Sequence, residues 1–362
     1  MLKKFKVGIV GCGGIANGKH LPNLAKIPEV ELVAFCDLII ERAEEAKAKY
    51  GTPDAKVYVD YKELLADKSI DVVHVCTPNR EHAPVSIAAL EAGKHVMCEK
   101  PMAKTAADAK AMLEAAKKSG KKLTIGYQNR QSTEMRYVKR MCDEGKLGEI
   151  YYAKANALRR RAVPTWGVFM NEEEQGGGPL IDIGTHALDL CLYMMNNYEV
   201  ESVMGNCHYK LGKIPNSANE WGPWDPEKYT VEDSAFALVK MKNGATIQIE
   251  SSWAINLRHC SEANCTLAGT KGGIDFQNGL HFNGEMYSSL FDQAITCSSS
   301  GSVAFYQGID SDDASYVEQR QWYNALINGT DPCVLPEQAY TVSRILEAVY
   351  ESYRTGKAVY FD

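Results

Sequence analysis

The stretch FKVGIVGCGGIANGKHLPNLAKIPEVELVAFCD, residues 5–37, decides the fold. It opens with a short apolar run around Val7, continues through a glycine-rich turn and a helical segment, and ends with a second apolar run before Asp37. A buried strand, a glycine turn, a helix, a second buried strand and a carboxylate, in this order, are typical of a βαβ unit in a parallel sheet. The stretch therefore predicts an α/β fold with a binding site for a dinucleotide.

The glycine turn, GCGGIA at residues 11–16, fits the pattern G-x-G-x-x-A. Gly11 permits the tight turn, and Gly13 lets a pyrophosphate approach the backbone. Gly14 and Ile15 lie at the start of the helix, whose N-terminus offers unpaired N–H groups and a partial positive charge to phosphates. The alternative is an ordinary βαβ unit with a glycine turn, but the second strand and its terminal carboxylate favour a dinucleotide site.

Asp37 indicates which dinucleotide binds. A carboxylate at the end of the second strand accepts hydrogen bonds from a ribose diol and repels a 2'-phosphate. The next residue, Leu38, supplies no cation. The sequence therefore favours NAD, and Arg42, one turn into the next helix, is the residue that leaves NADP open.

The composition is that of a soluble globular protein with two domains. The chain has 362 residues, more than one hydrophobic core usually supports, and 45% of them are hydrophobic. The net charge of -6 argues against a nucleic-acid surface, because a phosphate backbone requires a basic patch, and the basic run at residues 159–161 is too short to supply one. No apolar run reaches the length of a membrane span. Neither nucleic acid nor a membrane is expected as a partner.

The 11 cysteines argue for a reducing environment. Their number is odd, no C-x-x-C pair occurs, and Cys36, Cys76 and Cys98 fall in apolar predicted strands. These features disfavour a disulfide framework, a zinc ribbon and a dithiol centre. We expect core thiols in a reducing compartment, and hence a cytoplasmic protein.

Two further loops follow buried strands. The apolar run at 70–76 ends in Thr77-Pro78-Asn79, with His82 three residues later, and the strand predicted at 94–98 ends in Glu99-Lys100-Pro101. The carboxyl ends of parallel strands bind ligands, which places Asn79 and His82 to meet the cofactor; the alternative is a turn that only caps the next helix. A lysine in this position can hold a substrate hydroxyl, although an exposed surface lysine is the simpler interpretation without further context.

The candidate catalytic residues lie in GGGPLIDIGTHALD, residues 176–189. The glycines and the proline mark a helix start, and Asp182, His186 and Asp189 recur at helical spacing on one face. A neutral imidazole is suited to removing an alcohol proton, and a neighbouring carboxylate stabilises the imidazolium. The alternatives are a buried structural His-Asp pair and a zinc site. The metal interpretation lacks a third ligand of evident spacing, so no metal is predicted.

From Ile150 onward the pattern changes to strands that alternate apolar and polar residues. Asn-Gly pairs at 243–244, 278–279 and 283–284 predict antiparallel hairpins. We expect a mostly antiparallel sheet. Its covered face is predicted to contain Phe236, Leu238, Val239, Ile247, Ile249, Cys265 and Leu267.

Taken together, these motifs resemble the Gfo/Idh/MocA family of sugar and inositol oxidoreductases. The residues that carry the resemblance are Gly11-x-Gly13-x-x-Ala16, Asp37, Thr77-Pro78-Asn79, His82, Glu99-Lys100-Pro101 and Asp182-x-x-x-His186. The resemblance covers essentially the whole chain. It implies a Rossmann NAD-binding domain at 1–127 and an α+β domain at 128–362 with a large open sheet, C-terminal helices that pack back on the first domain, and a homo-oligomer formed through the sheet.

The resemblance also implies roles for individual residues. His186 is expected to be the base, with Asp182 and Lys100 as its catalytic partners. Gln128 and Asn129 are expected near the nicotinamide and the substrate. The cofactor site is then expected to contain Gly11, Gly13, Gly14, Ile15, Asp37, Arg42, Thr77, Asn79, His82, Glu99, Lys100, Gln128 and Trp166.

The segment LRRRAVPTWGVF, residues 158–169, is the candidate sugar-binding segment. Arg159 and Trp166 can clamp a pyranose by hydrogen bonds and ring stacking, although an exposed loop with a packed tryptophan is an equal alternative. The segment resembles subfamily members that oxidise C3 of a glucosyl unit, and Trp221 and Trp224 are expected to add stacking. C3 oxidation of a glucoside is the leading hypothesis. The alternatives are an inositol or free-aldose dehydrogenase, an NAD-dependent redox glycosidase and a non-catalytic dinucleotide-sensing regulator.

Overall fold

The computed structural model describes residues 4–297, 311 and 313–361, which fall into two compact units. The first unit takes its described residues from Met1–Gln131 and Gly301–Tyr340, and the second from Ser132–Ser300 and Thr341–Asp362. The sequence predicts a single domain boundary, after residue 127, with all later residues in the second domain. By its contacts, the segment that leads up to Tyr340 belongs with the first unit.

The first unit contains a six-stranded sheet in which every pairing is parallel. Its strands are β1 (Phe5–Val10), β2 (Val30–Cys36), β3 (Lys56–Tyr58), β4 (Val72–Val75), β5 (His95–Cys98) and β6 (Leu123–Ile125). The order β3-β2-β1-β4-β5-β6 reverses direction between β1 and β4. This is the Rossmann order, which confirms the predicted fold, and ligands of such sheets bind beyond the carboxyl ends of the strands at the reversal.

Helices follow the strands of this unit. They are a π-helical segment (Ala16–His20), α1 (Leu21–Leu24), α2 (Ile40–Tyr50), α3 (Tyr61–Ala66), α4 (Asn79–Glu91), α5 (Ala106–Ser119) and a 3-10 turn (Gln128–Gln131). Asp60 caps α3, because its side chain accepts a hydrogen bond from the Lys62 N–H.

The second unit is built on a nine-stranded sheet. Its strands are β7 (Ile150–Leu158), β8 (Val200–His208), β9 (Ser234–Met241), β10 (Thr246–Ser252), β11 (Glu262–Gly269), β12 (Gly273–Asp275), β13 (Leu280–Met286), β14 (Ser289–Ile295) and β15 (Val359–Tyr360). Every pairing is antiparallel except that of β7 with β10, which confirms a mostly antiparallel sheet.

The remaining helices are α6 (Thr133–Asp143), α7 (Glu172–Gln175), a π-helical segment (Leu180–Gly184), α8 (Thr185–Met195), a 3-10 turn (Pro226–Lys228), α9 (Ala314–Asn328) and α10 (Pro336–Thr355). Helix α8 packs on β7 and β11. Helix α9 completes the core of the first unit, because Trp322 and Tyr323 are buried in one cluster with Val7, Ile9 and Phe35. Burial of large aromatic rings in this way is a major source of stability.

Two details of the sheet differ from the prediction. Leu238 is 55% exposed and Phe236 is partly exposed, whereas Val239, on the same strand, is fully buried. Side chains of a strand alternate between its faces, so Phe236 and Leu238 cannot share a face with Val239. The covered face is supplied instead by Ala235, Ala237, Val239 and Met241, together with Ile247, Ile249, Cys265 and Leu267.

The third predicted Asn-Gly turn is also wrong. The pairs at 243–244 and 278–279 do lie between paired strands, but Asn283-Gly284 lies inside β13. The turn between β13 and β14 is formed by Tyr287 and Ser288, both of which have a positive φ. Gly284 serves packing, since a Cβ there would lie 3.0 Å from the Phe291 ring.

All 11 cysteines are free, and seven of them are buried, as predicted for core thiols. Within the described ranges, no helix combines the length and the apolar character that crossing a membrane requires. The same residues contain no group of three or more His, Cys, Asp and Glu side chains that could hold a metal ion.

Candidate active site

The glycine turn after β1 has the geometry that a dinucleotide needs. Gly11 has φ +89°, and a Cβ at this position would lie 2.6 Å from the Cys76 carbonyl oxygen, so only glycine fits. At Gly13 and Gly14 an added Cβ would meet no atom within 4 Å. The backbone here borders open space, with Ile15 partly exposed beside it. The turn therefore fits the pyrophosphate of NAD.

Asp37 is fixed next to this turn by two backbone groups. Its Oδ2 accepts a hydrogen bond from the Cys12 N–H at 2.8 Å, and its Oδ1 accepts one from the Ile39 N–H at 2.9 Å. A carboxylate can accept about four hydrogen bonds, so capacity remains for a ribose diol. Leu38 and Arg42, which follow Asp37 in the sequence, are both exposed.

His82 links two loops. Its Nδ1 lies 2.7 Å from the Pro101 carbonyl oxygen, and its Nε2 lies 3.0 Å from the Thr77 carbonyl oxygen. Each ring nitrogen thus faces a backbone carbonyl oxygen, and since burial lowers the pKa of the imidazole, the neutral ring donates its one N–H to one of the two. In the structure His82 joins the loop after β4, which leads into Asn79 at the start of α4, to the loop that contains Lys100.

Glu99 belongs to a buried ion cluster of the first unit. Its Oε1 lies 2.7 Å from Lys19 Nζ and 2.7 Å from His20 Nε2, and its Oε2 accepts a hydrogen bond from the Lys100 N–H at 3.2 Å. Lys19 Nζ also lies 3.2 Å from a Glu318 carboxylate oxygen. Burial alone raises the pKa of Glu99, but Lys19 and His20 hold it well below its ordinary value.

The cluster extends in two directions. Lys19 Nζ donates to Gln128 Oε1 at 2.9 Å, so it fixes the turn that contains Gln128 and Asn129. On the other side, His20 Nδ1 lies 2.9 Å from His74 Nδ1, and His74 Nε2 lies 2.9 Å from the Tyr323 hydroxyl. Lys19 therefore ties three predicted cofactor segments of this unit together, and nothing in its local sequence had marked it.

The helix with the candidate base begins, as predicted, after the three glycines. Asp182 lies in the π-helical segment Leu180–Gly184, and His186 lies in the first turn of α8. His186 is 7% exposed, and Asp189 is 1% exposed. π-Helical turns are rare and occur preferentially at functional sites, which supports the interpretation of this helix as catalytic.

Asp182 is held by groups from distant parts of the second unit. Its Oδ2 accepts a hydrogen bond from Trp253 Nε1 at 3.2 Å and lies 4.0 Å from Arg159 Nη1. The Arg159 guanidinium also pairs with both carboxylate oxygens of Glu262, and its centre lies 5.0 Å from the ring centroid of Trp221. The structure thus brings Arg159 and Asp182 together, places Trp221 beside Arg159, and adds Trp253 and Glu262, two residues that the sequence did not indicate as their neighbours.

An aromatic wall adjoins this cluster. The Trp166 ring lies 5.0 Å from that of Trp221 and 6.0 Å from that of Phe169, and Phe169 lies 6.4 Å from Trp253. Trp166 is 51% exposed, Trp221 is 36% exposed and Trp253 is fully buried, so the wall leads from solvent to Asp182. Trp224 packs elsewhere, on Tyr229, with its indole N–H bound to the Gly212 carbonyl.

Comparison with known proteins agrees with this architecture. Residues 5–127 match the family model described as "Oxidoreductase family, NAD-binding Rossmann fold", and residues 135–275 match the "GFO/IDH/MocA C-terminal domain". The chain belongs to the Gfo/Idh/MocA family. The predicted resemblance is confirmed, as are the NAD cofactor and the oxidoreductase class.

Individual relatives are dehydrogenases of sugars and polyols. The chain is 36% identical to D-glucoside 3-dehydrogenase of Escherichia coli (strain K12) over 98% of its own length and 97% of that protein. It is 31% identical to inositol 2-dehydrogenase of Salmonella typhimurium over 74% of this chain and 72% of that one. Levoglucosan dehydrogenase in complex with NADH has the same fold, with a TM-score of 0.82, 22% identity and coverage of 99% and 100%.

Proposed function

We propose that the protein oxidises a secondary hydroxyl of a sugar glycoside to a ketone, and that the position oxidised is C3 of a glucosyl unit. The observation that carries the proposal is the second-unit cluster in which Arg159, Trp253 and the aromatic wall converge on Asp182, one helical turn before His186. The likeness to a D-glucoside 3-dehydrogenase over nearly the whole chain supports the same substrate class.

Bound NAD would supply the hydride acceptor for the oxidation of the carbinol carbon. The glycine turn with Gly11 and Gly13 would hold its pyrophosphate, and Asp37 would hold the ribose diol. The hydrogen bond from the Cys12 N–H to Asp37 couples the two contacts, because it joins the turn after β1 to the loop after β2.

His186 is proposed to take the hydroxyl proton as the carbon is oxidised. A neutral imidazole is suited to this near neutral pH, and the Asp182 carboxylate stabilises the resulting imidazolium. Lys100 is proposed to donate a hydrogen bond to the same oxygen and to stabilise its developing negative charge. These roles follow the family resemblance at each of the three positions.

Arg159 and Trp166 are proposed to bind the sugar. The guanidinium is already oriented by Glu262 and by the Trp221 face, so little conformational entropy remains to be lost when a hydroxyl binds it. Trp166 exposes half of its ring, which is suited to packing against the apolar face of a pyranose. Trp221 adds a second ring to this surface.

Incubation of the purified protein with NAD and a nitrophenyl glucoside distinguishes the possible activities. A keto-glucoside located at C3 by NMR, formed with NADH, supports the proposal. Released nitrophenol supports a redox glycosidase. Dinucleotide binding without turnover of any glycoside, free aldose or inositol supports a sensor. Turnover of myo-inositol or glucose alone would assign the other dehydrogenase class, and the same panel with NADP tests the cofactor preference set by Asp37.

We also propose that the protein is cytoplasmic and forms a homo-oligomer through the open face of its nine-stranded sheet. Eleven free cysteines fit a reducing compartment. On the open face, Met204 and Leu238 are paired in register on β8 and β9 and are 58% and 55% exposed. Neighbouring exposed apolar side chains are typical of an interface. Light scattering of the purified protein tests the oligomeric state.

Replacement of Trp253 with phenylalanine is expected to lower kcat about tenfold. The substitution keeps a ring but removes the N–H donor to Asp182, and a hydrogen bond to a charged group contributes about 1.5–3 kcal/mol. Steady-state kinetics with the sugar found in the panel would measure the effect. Trp322→Phe is the matched control, because Trp322 Nε1 is buried with no hydrogen-bond partner among the described residues. An equal kcat for both variants would contradict a role for the Trp253 N–H.

A further inference from the structure

A buried carboxylate lies at the start of the helix that contains Asp182 and His186. Glu232 is 0% exposed. Its Oε2 accepts a hydrogen bond from the Gly178 N–H at 2.8 Å, and its Oε1 accepts from the Leu180 N–H at 3.1 Å and from the Tyr350 hydroxyl at 2.9 Å. Helix starts are usually capped by a residue of the helix itself. Here the acceptor comes from more than 50 residues away.

The backbone of this helix start packs closely against the Glu232 backbone and the Tyr350 side chain. A Cβ at Gly178 would lie 2.3 Å from the Glu232 carbonyl oxygen, and a Cβ at Gly177 would lie 2.0 Å from the Tyr350 hydroxyl oxygen. The two glycines are therefore required by close packing rather than by chain flexibility. The close packing of the two glycines against Glu232 and Tyr350 leaves the helix start little space to move.

The surroundings leave Glu232 without a neutralising cation in the described part of the chain. The titratable groups that interact with it are Tyr350 from α10, Cys207 from β8, and Tyr209 and Tyr229 from the loops. Burial raises the pKa of each of these four groups, so all are neutral near pH 7. Arg354 faces Cys207, and the adjacent Asp233 carboxylate is bound by the backbone N–H groups of residues 210–212.

The charge of Glu232 is consequently balanced only by backbone and hydroxyl dipoles. Burial raises the pKa of its carboxyl to about 7, although the hydrogen bonds from Gly178, Leu180 and Tyr350 oppose the rise. Above this pH the carboxylate forms charge-assisted hydrogen bonds with the helix start, and it also interacts favourably with the helix dipole. Below this pH the interactions weaken.

We propose that Glu232 and Tyr350 are positioning residues that fix the first turn of the catalytic helix and thereby the geometry of Asp182 and His186. The inference rests on the proposed function only in assigning His186 as the base. The five residues Leu180–Gly184 are π-helical, and π-helical turns are rare and occur preferentially at functional sites. The hydrogen bonds of Glu232 to the Gly178 and Leu180 N–H groups fix the start of this segment from outside, and catalysis depends steeply on the placement of a base.

Two substitutions test the proposal. Glu232→Gln keeps the shape but removes the charge, and we expect kcat to fall about tenfold to a hundredfold with the dissociation constant for NAD unchanged. Tyr350→Phe removes one hydrogen bond and is expected to lower kcat about threefold to tenfold. In the native protein the fall of kcat at low pH is expected to include the ionisation of Glu232, and this ionisation should be missing from the pH profile of Glu232→Gln.

Amide hydrogen exchange provides a readout that needs no turnover. We expect the peptide containing Gly178–Gly184 to lose protection in both variants, and in the native protein to lose it as the pH falls from 8 to 6. Tyr229→Phe is the matched control, because the Tyr229 hydroxyl is buried with no hydrogen-bond partner in the described ranges. Native-like protection of this peptide in Glu232→Gln would overturn the inference. Lost protection in the variants with no sugar oxidation by the native protein would support the inference and reject only the proposed function.

As the pH falls, the free energy of unfolding is expected to rise, whereas kcat and the protection of the helix start are expected to fall. Because folding raises the pKa of Glu232 from its ordinary 4.5 to about 7, the contribution of this group to stability is fully present below 4.5 and is lost as the pH rises through 7. Urea unfolding of Glu232→Gln should lack that decline even though kcat is lower. A variant that retains the native decline in stability with pH would also overturn the inference.

Discussion

Replacing His186 with alanine is expected to lower kcat by about 10²–10⁴-fold, the usual contribution of a general base, while NAD binding stays near native. The side chain lies on the second unit, which the NAD-binding family model does not include, and it is nearly buried, so its loss removes a proton acceptor without altering the glycine turn. Single-turnover formation of NADH with the best substrate measures the first quantity. Titration of NAD followed by fluorescence measures the second.

The chain contains a matched control for this variant. His281 Nδ1 lies 2.8 Å from Asp292 Oδ1 on the hairpin of β13 and β14, which is a His-Asp pair of the same chemistry outside the proposed site. His281→Ala should leave kcat unchanged. If His186→Ala retained more than about a tenth of the native kcat, His186 would not be the base, since general-base catalysis contributes at least a hundredfold. A comparable loss in His281→Ala would indicate a general effect of removing a histidine from a His-Asp pair rather than the loss of a base.

Local sequence patterns were sufficient to predict the parallel sheet of the first unit, although not that α9 also belongs to this unit. The strands β1, β4, β5 and β6 are largely buried and read as short apolar runs, and the turn after β1 needs glycine at residue 11, where no other residue type fits. The helix start at residues 176–179 was predictable for the same reason, since glycine and proline restrict the backbone locally. Such features depend on neighbours in sequence, so the sequence contains them directly.

In the second unit, local patterns did not predict which residues of each strand face the covered side of the sheet. Phe236 and Leu238 were assigned to the covered face because they are apolar, yet the register of β9 places them on the open face. Strand register depends on the partner strand, and a shift of one residue exchanges the faces. Gly284 is likewise explained by its close contact with the Phe291 ring on the partner strand and not by a turn.

The residues that hold the candidate catalytic groups were missed for a related reason. Trp253 meets Asp182 across 71 positions of sequence, and Lys19 meets Glu99 across 80. No local sequence pattern indicates either contact. A buried donor needs an acceptor, but the acceptor comes from a distant part of the chain that only the fold places beside it. A buried lysine or glutamate is unusual in itself, but burial of Lys19 inside a helical turn that follows a glycine motif can be seen only in the folded chain.

Replacing Lys19 with methionine is expected to lower the free energy of unfolding by about 3–5 kcal/mol, the usual cost of removing one partner from a buried ion pair. Lys19 is 6% exposed and lies 2.7 Å from Glu99 and 3.2 Å from Glu318, so its loss leaves two buried carboxylates without their cation. Urea unfolding at pH 7 measures the change. Lys4→Met is the control, because its contact with Glu31 is exposed and such pairs contribute about 0–1 kcal/mol.

The pH dependence of this loss distinguishes an electrostatic cause from a packing defect. In the native protein the pKa of Glu99 is held well below 4.5, so its contribution to stability is present above that pH and is lost as the pH falls through the folded pKa. Without Lys19, burial is left to raise the pKa of Glu99, and protonation of this group relieves the penalty as the pH falls. The difference between Lys19→Met and the native protein should therefore shrink from pH 7 to pH 5. The triple variant Lys19→Met, Glu99→Gln, Glu318→Gln should recover most of the loss at pH 7. A deficit that is equal at both pH values and persists in the triple variant would show that Lys19 acts through its packing, and that the charge cluster does not set the stability of the first unit.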